Sequence, residues 1–242
     1  MKIIGIIPAR YASTRFPGKP LTVIQGKTMI TRVAEQASKA KRLSKVVVAT
    51  DDERIANEVK ANGFEVVMTG AFHKSGTDRC AEVVNVLKEK FDAVINIQGD
   101  EPFIHPEQID LLCSLFEDSS VEIGTLVKKL SDASDLDNPN VMKVALDIHS
   151  NALYFSRSPI PFVRGAEKNH WLDHFNFQKH IGIYGYRTEI LKKITALPQG
   201  KLEIAESLEQ LRWLENGHQI RTAFTELESI SIDTPEDLLK LK

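Results

Sequence analysis

Continuous apolar runs alternate with amphipathic helical patterns through the first half of the chain. The runs are apolar along their whole length, which is typical of strands that helices cover on both faces of a parallel sheet. Between the runs, apolar residues recur at the spacing of one helix face. We therefore expect an α/β fold with a mainly parallel sheet. The predicted strands are residues 3–7, 46–49, 65–68 and 93–97, and the predicted helices are residues 27–41 and 106–116, with further helices beginning near residues 53 and 76.

The second half of the chain has short connections between its strand-like runs and few helices. This pattern predicts a smaller antiparallel subdomain, about residues 120–200, within a single domain of 1–242. Residues 1–119 and 201–242 would form the core. The predicted strands of this half are residues 121–127, 142–146, 152–156, 180–186, 220–225 and 230–232, and the predicted helices are residues 201–217 and one that begins at Thr234-Pro235-Glu236.

The predicted helix 201–217 has an apolar stripe made of Ile204, Leu208 and Leu211. Trp213 falls on the opposite face, among polar side chains. A solvated face does not need a tryptophan, so we expect a sugar-like ligand or another subunit to cover it.

A basic loop follows the first strand and carries Arg10, Arg15 and Lys19. In parallel α/β sheets, ligands bind beyond the carboxyl ends of the strands. Proline and glycine stiffen this loop more than a linker requires, which favours a polyphosphate site over a solvated basic loop. The spacing excludes an ATPase P-loop, because the glycine that G-x-x-x-x-G-K-[ST] requires is replaced by Ser13 before Gly18 and by Leu21 before Gly26.

Two acidic residues, Asp100 and Asp233, each follow a predicted strand. If both strands lie in one sheet, the two carboxylates converge on one hard cation, and one or two carboxylates plus substrate phosphates are the usual Mg²⁺ ligands. The structural alternatives are a turn residue for Asp100 and a helix N-cap for Asp233. The N-cap and metal roles can coexist.

Two further groups have functional and structural interpretations. The helix start at Ser75-Gly76-Thr77-Asp78-Arg79 presents backbone N–H groups to an anion or a base carbonyl, or is a plain helix cap. His180 lies in an apolar strand, where a histidine is usually structural. Its companions Lys179, Tyr184 and Tyr186, with Arg157 beside the predicted strand 152–156, favour a polar pocket.

Composition excludes several classes. The net charge of −2 provides no general basic field for nucleic acid. No apolar stretch reaches the roughly 18 residues of a membrane span. The chain enters its first strand without a signal-peptide pattern. We expect Cys80 and Cys113 to be buried thiols, so the expected compartment is the cytoplasm.

Taken together, these segments resemble the cytidylyltransferases that activate 3-deoxy-D-manno-octulosonate (Kdo), the CMP-Kdo synthetases. The resemblance runs from residue 3 to residue 238, and only residues 163–176 match no pattern. The matching runs are IPARYASTRFPGKPL at 7–21, VATD at 48–51, SGTDR at 75–79, NIQGDEP at 96–102, ALYFSR at 152–157, HIGIYGYR at 180–187, LEQLR at 208–212 and DTPEDL at 233–238.

The resemblance implies a Rossmann-like nucleotide-diphospho-sugar transferase fold and the reaction CTP + Kdo → CMP-Kdo + diphosphate, which serves lipopolysaccharide synthesis. It also implies Mg²⁺ on Asp100 and Asp233, and a homodimer. Arg10 and Lys19 would act in catalysis with these carboxylates. The implied nucleotide-binding residues are Ala9, Arg10, Arg15, Lys19, Ser75, Gly76, Thr77 and Arg79, and the implied sugar-acid residues are Gln98, Arg157, His180, Tyr184, Glu209 and Gln210.

Two alternatives remain open. An amino-sugar variant of Kdo or a sialic acid could be the acceptor on the same fold. A nucleotide-binding regulatory protein without turnover would belong to another class. It would need the loop cations but not the pair of aspartates, and this chain has both.

Overall fold

The structure is a computed structural model that describes residues 1–12, 16–228 and 230–241. Eleven strands are described: β1 Ile3–Ala9, β2 Val23–Ile24, β3 Lys27–Thr28, β4 Lys45–Thr50, β5 Glu65–Met68, β6 Ala93–Asn96, β7 Ile123–Lys129, β8 Lys143–Leu146, β9 Ala152–Ser156, β10 Gln178–Arg187 and β11 Ile220–Phe224. Nine α-helices are described: α1 Met29–Ala37, α2 Glu53–Ala61, α3 Gly76–Val86, α4 Pro106–Ser114, α5 Ser134–Asp137, α6 Trp171–His174, α7 Thr188–Thr195, α8 Lys201–Glu206 and α9 Gln210–Glu215. Short 3₁₀ helices span Lys19–Leu21, Leu115–Glu117, Lys168–His170 and Pro235–Leu241.

One central sheet has the strand order β11-β7-β10-β6-β1-β4-β5. Strands β6, β1, β4 and β5 run parallel to one another, as their continuous apolar sequences predict. β1 lies between β4 and β6 and is almost wholly buried. Two apolar layers cover the faces of the sheet, one with α1, α2 and α4 and the other with α3 and α7. The expected α/β fold, mainly parallel with helices on both faces, is confirmed.

The antiparallel strands join this same sheet. β10 pairs antiparallel with both β6 and β7, and β11 pairs parallel with β7. The hairpin β8–β9 attaches beside β10. The expected antiparallel part therefore extends the central sheet, while the division of the chain near residues 120 and 200 stays a prediction.

The predicted helix 201–217 is wrong as a single helix. It breaks at Ser207, whose φ of 53° lies in the left-handed region, so α8 ends at Glu206 and α9 begins at Gln210. The break changes which face of the second half meets the core. Before the break Ile204 is 62% exposed, and after it Trp213 is 1% exposed.

Trp213 is covered by its own chain. Its indole meets the rings of Tyr184 and Tyr186 edge-on, at centroid distances of 5.2 and 5.4 Å. Both tyrosines belong to β10, so Trp213 fixes α9 against the sheet. The expectation that a ligand or another subunit covers this side chain is therefore wrong.

Substituting these two residues tests the broken helix. We expect Trp213→Ala to lower the free energy of unfolding by about 3–5 kcal/mol, because it leaves a large cavity beside two buried rings. Ile204→Ala should change it by less than about 0.5 kcal/mol, because the side chain is exposed. Urea unfolding of both variants measures the difference, and equal losses would contradict the break at Ser207.

The C-terminal segment also differs from the prediction. Residues 230–232 form no strand, although the Ile232 N–H donates a 2.9 Å hydrogen bond to the Asp100 carbonyl. The closing helix is the 3₁₀ helix Pro235–Leu241, preceded by Thr234 as expected. This backbone hydrogen bond and side-chain packing, rather than a strand ladder, therefore position Asp233.

Two expectations from composition can be compared with the structure. Cys80 and Cys113 are buried free thiols, as predicted, and burial raises the pKa of each, that of Cys113 to about 12. None of the described helices has the length and apolar character needed to cross a membrane.

Candidate active site

A polar cavity of about 250 Å³ opens beyond the carboxyl ends of β1 and β6. This is the edge at which parallel α/β sheets bind their ligands. The wall is formed by five segments: the end of β1, the basic loop, the start of α3, the turn after β6 and the C-terminal segment. The lining residues are Pro8, Ala9, Arg10, Lys19, Pro20, His73, Lys74, Ser75, Gly76, Arg79, Gln98, Gly99, Asp100 and Asp233.

The three charged residues at one end of the cavity contact one another. The Lys19 ammonium lies 2.7 Å from an Asp100 carboxylate oxygen and 3.4 Å from one of Asp233. Lys19 and Asp100 are half-buried or more, and Asp233 is the most open of the three. Residues far apart in the sequence therefore form one charge cluster. The two aspartates converge as predicted, although, within the described residues, only Asp100 follows a strand.

The donor set of this cluster suits Mg²⁺. Both carboxylates reach a single cationic group, Lys19 Nζ, so they lie close enough to act on one ion. Within the described parts of the chain, no group of three or more His, Cys, Asp or Glu side chains gathers for a metal. Two carboxylates plus substrate phosphate oxygens match the way proteins usually hold Mg²⁺.

Two glycines allow the segments to approach one another in this wall. A Cβ on Gly99 would lie 2.7 Å from the Pro8 carbonyl oxygen, closer than atoms can pack. A Cβ on Gly76 would lie 3.2 Å from the Pro8 ring. The turn after β6 and the start of α3 thus rest directly against the end of β1, which sets the width of the cavity.

Gly99→Ala should therefore displace the turn that carries Asp100. We expect kcat/KM to fall about tenfold or more, because small misplacements of reacting groups are costly. The apparent melting temperature should fall by only a few degrees. Steady-state kinetics beside a thermal melt measure both, and a normal kcat/KM would show that the turn tolerates the extra carbon.

The start of α3 forms one side of the cavity. Ser75 caps the helix: its hydroxyl accepts from the Asp78 N–H at 3.1 Å, and the Asp78 carboxylate accepts from the Ser75 N–H at 3.2 Å. The cap interpretation is thus confirmed. It does not exclude ligand binding, since Ser75 and Gly76 both line the cavity with the amino end of an 11-residue helix.

The basic loop contributes two described cations, Arg10 and Lys19, and Ala9 lies beside them at the end of β1. Its base is closed by a 3.0 Å hydrogen bond from the Gly18 N–H to the Tyr11 carbonyl. Arg15, the third predicted cation, lies outside the described residues, so its placement stays a prediction.

Arg79 lines the cavity but is buried, with its guanidinium engaged behind the wall. Its Nη2 lies 3.2 Å from an Asp51 carboxylate oxygen, and its Nη1 donates to the Thr69 hydroxyl. These partners follow β4 and β5. Arg79 therefore ties the start of α3 to two neighbouring strand ends, a role that sequence spacing did not indicate.

Thr77 turns away from the cavity. Its buried hydroxyl donates a 2.7 Å hydrogen bond to Glu209, the residue that precedes α9. Burial is the main influence on Glu209 and raises the pKa of its carboxyl, although Thr77 and Ser75 oppose that shift. The predicted nucleotide residue Thr77 and the predicted sugar residue Glu209 thus meet directly.

His180 and Tyr184 form a second group that does not line this cavity. Their rings lie 5.1 Å apart, and His180 Nε2 is 2.9 Å from the Thr125 hydroxyl. Burial lowers the pKa of His180 to about 3, so the ring is neutral at pH 7. The buried Tyr184 hydroxyl and His180 Nδ1 have no hydrogen-bond partner among the described residues.

The remaining predicted sugar residues are placed differently from one another. Gln98 lines the cavity. The Arg157 guanidinium donates to the carbonyl oxygens of Glu206 and Pro139, both at 2.7 Å. It thus holds the end of β9 against the break between α8 and α9. Gln210 is buried at the start of α9.

Two of the polar or charged side chains that line the cavity, His73 and Lys74, were not predicted from the sequence. His73 Nε2 contacts the Glu82 carboxylate, which also accepts a 2.8 Å hydrogen bond from the Gly70 N–H. Lys74 directly precedes the Ser75 cap. Its position before a predicted anion-binding helix start was the signal that could have identified it.

Comparison with known proteins identifies the relatives of this chain. A sequence model of the cytidylyltransferase family matches residues 4–220. The chain is 57% identical to a 3-deoxy-manno-octulosonate cytidylyltransferase of Parabacteroides distasonis, over 99% of this chain and 96% of that protein. It is also 57% identical to the protein of that name from Bacteroides thetaiotaomicron, over 98% and 96%.

A solved structure is similar over the whole length of the chain. It is described as CMP:2-keto-3-deoxy-manno-octonic acid synthetase complexed with CTP. Its TM-score to this chain is 0.92 at 41% identity, and the match covers 100% of this chain and 97% of that one.

Proposed function

Because the chain belongs to the 3-deoxy-manno-octulosonate cytidylyltransferase family, we propose that it transfers the CMP moiety of CTP to the anomeric hydroxyl of Kdo. The anomeric oxygen of Kdo forms a bond to the α-phosphorus of CTP. The bond between that phosphorus and the oxygen that bridges it to the β-phosphorus breaks, diphosphate leaves, and the hydroxyl proton is released. The product, CMP-Kdo, would supply lipopolysaccharide synthesis.

The observation that carries this proposal is the charge cluster at the strand ends. Lys19 and Arg10 place two cations on the wall that the Asp100 and Asp233 carboxylates share. Phosphoryl-type transfer depends mainly on positioning and on neutralising charge at the phosphates. Arg10 can bind phosphate oxygens through two N–H groups, and Lys19 supplies a point charge near the leaving diphosphate.

The carboxylates of Asp100 and Asp233 are the residues that would hold Mg²⁺. When bound, Mg²⁺ neutralises phosphate charge and lowers the pKa of an attacking hydroxyl. Lys19 already lies between the two carboxylates, so it keeps them together before substrate arrives and is placed to contact the same phosphates.

We assign the binding roles from two sets of residues, those that line the cavity and those grouped around His180 and Tyr184. Ser75 and Gly76, at the start of α3, would bind the nucleotide. Arg79 would hold this helix start in place from behind the cavity wall. Gln98 would lie between nucleotide and sugar acid. His180, Tyr184, Glu209 and Gln210 would form the sugar end. Since His180 is neutral and Arg157 already donates to backbone carbonyls, we propose that they position this pocket more than they neutralise the sugar carboxylate.

Diphosphate release tests the proposal. We expect release with CTP only when both Kdo and Mg²⁺ are present, with UTP, ATP and GTP much less effective. EDTA should abolish release, and added Mg²⁺ should restore it. CTP binding without release would instead support the regulatory protein. Release with an amino-Kdo or a sialic acid, compared at equal CTP, would change the acceptor but not the reaction.

We also propose that the protein is a cytoplasmic homodimer. The edge hairpin strand β9 presents the exposed side chain of Leu153, which a second subunit could cover. The two buried free thiols suit a reducing compartment. Sedimentation velocity tests the dimer, and a monomer at micromolar concentration would contradict it.

A further inference from the structure

A small apolar cluster gathers residues that are close in sequence to the charge cluster of the candidate active site. Three of its members are buried and three pack partly buried against them. We call this group the anchor cluster, and its members are Ile24, Met29, Ile232, Phe16, Phe103 and Leu238. It is separate from the two large apolar layers of the sheet.

Each of the three residues of the charge cluster lies within three positions of a member of the anchor cluster. Phe16 is three positions before Lys19, Phe103 is three positions after Asp100, and Ile232 directly precedes Asp233. Packing of the cluster and convergence of the three charges are therefore coupled by short, stiff connections. Loss of one apolar contact would displace the charged residue beside it.

Ile232 has the most consequential position in the cluster. The C-terminal segment, residues 230–241, carries Asp233 and contains no strand. Ile232 is 0% exposed, and its N–H donates a 2.9 Å hydrogen bond to the carbonyl oxygen of Asp100. On the other side of this bond, Lys19 bridges Asp100 and Asp233. The contacts that hold the segment are thus made with residues of the site.

We propose that Ile232 is a positioning residue that docks the C-terminal segment and thereby places Asp233 opposite Asp100. Docking of the segment and assembly of the metal and phosphate site are then one equilibrium. Ligands that bind both Asp233 and Asp100 stabilise the docked segment. Undocking raises the apparent dissociation constant of such a ligand, because only the docked molecules bind it. The ligand side of this inference rests on the proposed function.

The chain supplies a matched control two residues away. Ile230 has the same side chain in the same segment and is 41% exposed. Ile232→Ala and Ile230→Ala can therefore be compared in the full-length protein. Hydrogen exchange without any ligand is the first measurement. We expect Ile232→Ala to speed exchange of residues 230–241 about tenfold, with β1 and β6 unchanged, and Ile230→Ala to exchange like the parent protein.

Steady-state kinetics are the second measurement. Because saturating substrate returns the segment to its docked state, Ile232→Ala should raise the KM for CTP and the half-saturating Mg²⁺ concentration about tenfold, with kcat within about twofold. Ile230→Ala should change neither value. A variant that is merely less stable would lose kcat and keep its KM.

The outcomes separate this inference from the proposed function. Unchanged exchange in Ile232→Ala, or a loss of kcat at constant KM, would overturn the docking role. Absence of diphosphate release by the parent protein would overturn the proposed function instead. The exchange measurement uses no substrate, so it decides the docking role in either case.

Discussion

Asp100→Asn is expected to lower kcat about 10³-fold or more while leaving the fold intact. The substitution keeps the shape of the side chain and removes the charge nearest Lys19, at 2.7 Å. A loss of this size corresponds to about 4 kcal/mol of transition-state stabilisation, the scale expected when a preorganised electrostatic group is removed from a site. Diphosphate release at saturating CTP and Kdo measures it.

The Mg²⁺ dependence of this variant gives the more specific test. If Asp100 and Asp233 hold the metal, Asp100→Asn should also raise the half-saturating Mg²⁺ concentration at least tenfold. Asp173→Asn is a matched control, because the Asp173 side chain is 71% exposed on α6 and should change neither value. Near-normal turnover by Asp100→Asn would refute the metal assignment.

The second large effect is expected for Lys19→Met, with a fall in kcat of about 10²–10³-fold. Methionine preserves much of the length and apolar character of the lysine stem. It removes the ammonium that both carboxylates share and that would neutralise the departing diphosphate. Its effect should fall on catalysis and CTP binding.

Mg²⁺ dependence distinguishes Lys19 from the aspartates. The Lys19 ammonium already attracts both carboxylates, so its removal should leave the half-saturating Mg²⁺ concentration unchanged or lower it. Lys27→Met is the control, since Lys27 pairs with Glu35 on the surface. A raised Mg²⁺ requirement in Lys19→Met would place Lys19 in support of the metal ligands instead.

Much of the candidate site could be predicted because strand ends are visible in a sequence. An apolar run followed by a polar turn locates Asp100 and the basic loop at the same edge of a parallel sheet. The capping box at Ser75 is likewise a local pattern, readable from four consecutive residues. These features depend on neighbours in the chain, and the structure places them as expected.

The failures concern residues whose environment depends on distant segments. Trp213 was assigned to the face opposite the core because a continuous helix was assumed, and a single left-handed residue at Ser207 reversed that assignment. Arg157 and His180 stay predicted residues of the sugar-acid pocket, but their surroundings could not be predicted from the sequence. In the fold, the Arg157 guanidinium donates to backbone carbonyls, and burial keeps the His180 ring neutral.

The sequence by itself determined the layered α/β fold, the edge at which the site forms and the residue types that carry its charge. Periodicity and the residue types at strand ends are local properties, so they can be recognised in the sequence alone. Only the tertiary structure decided which segments meet: Lys19 with Asp100 and Asp233, Thr77 with Glu209, and Ile232 with the turn that carries Asp100. Such contacts join segments up to 214 positions apart, and their distances follow from how the layers pack, which no local pattern encodes.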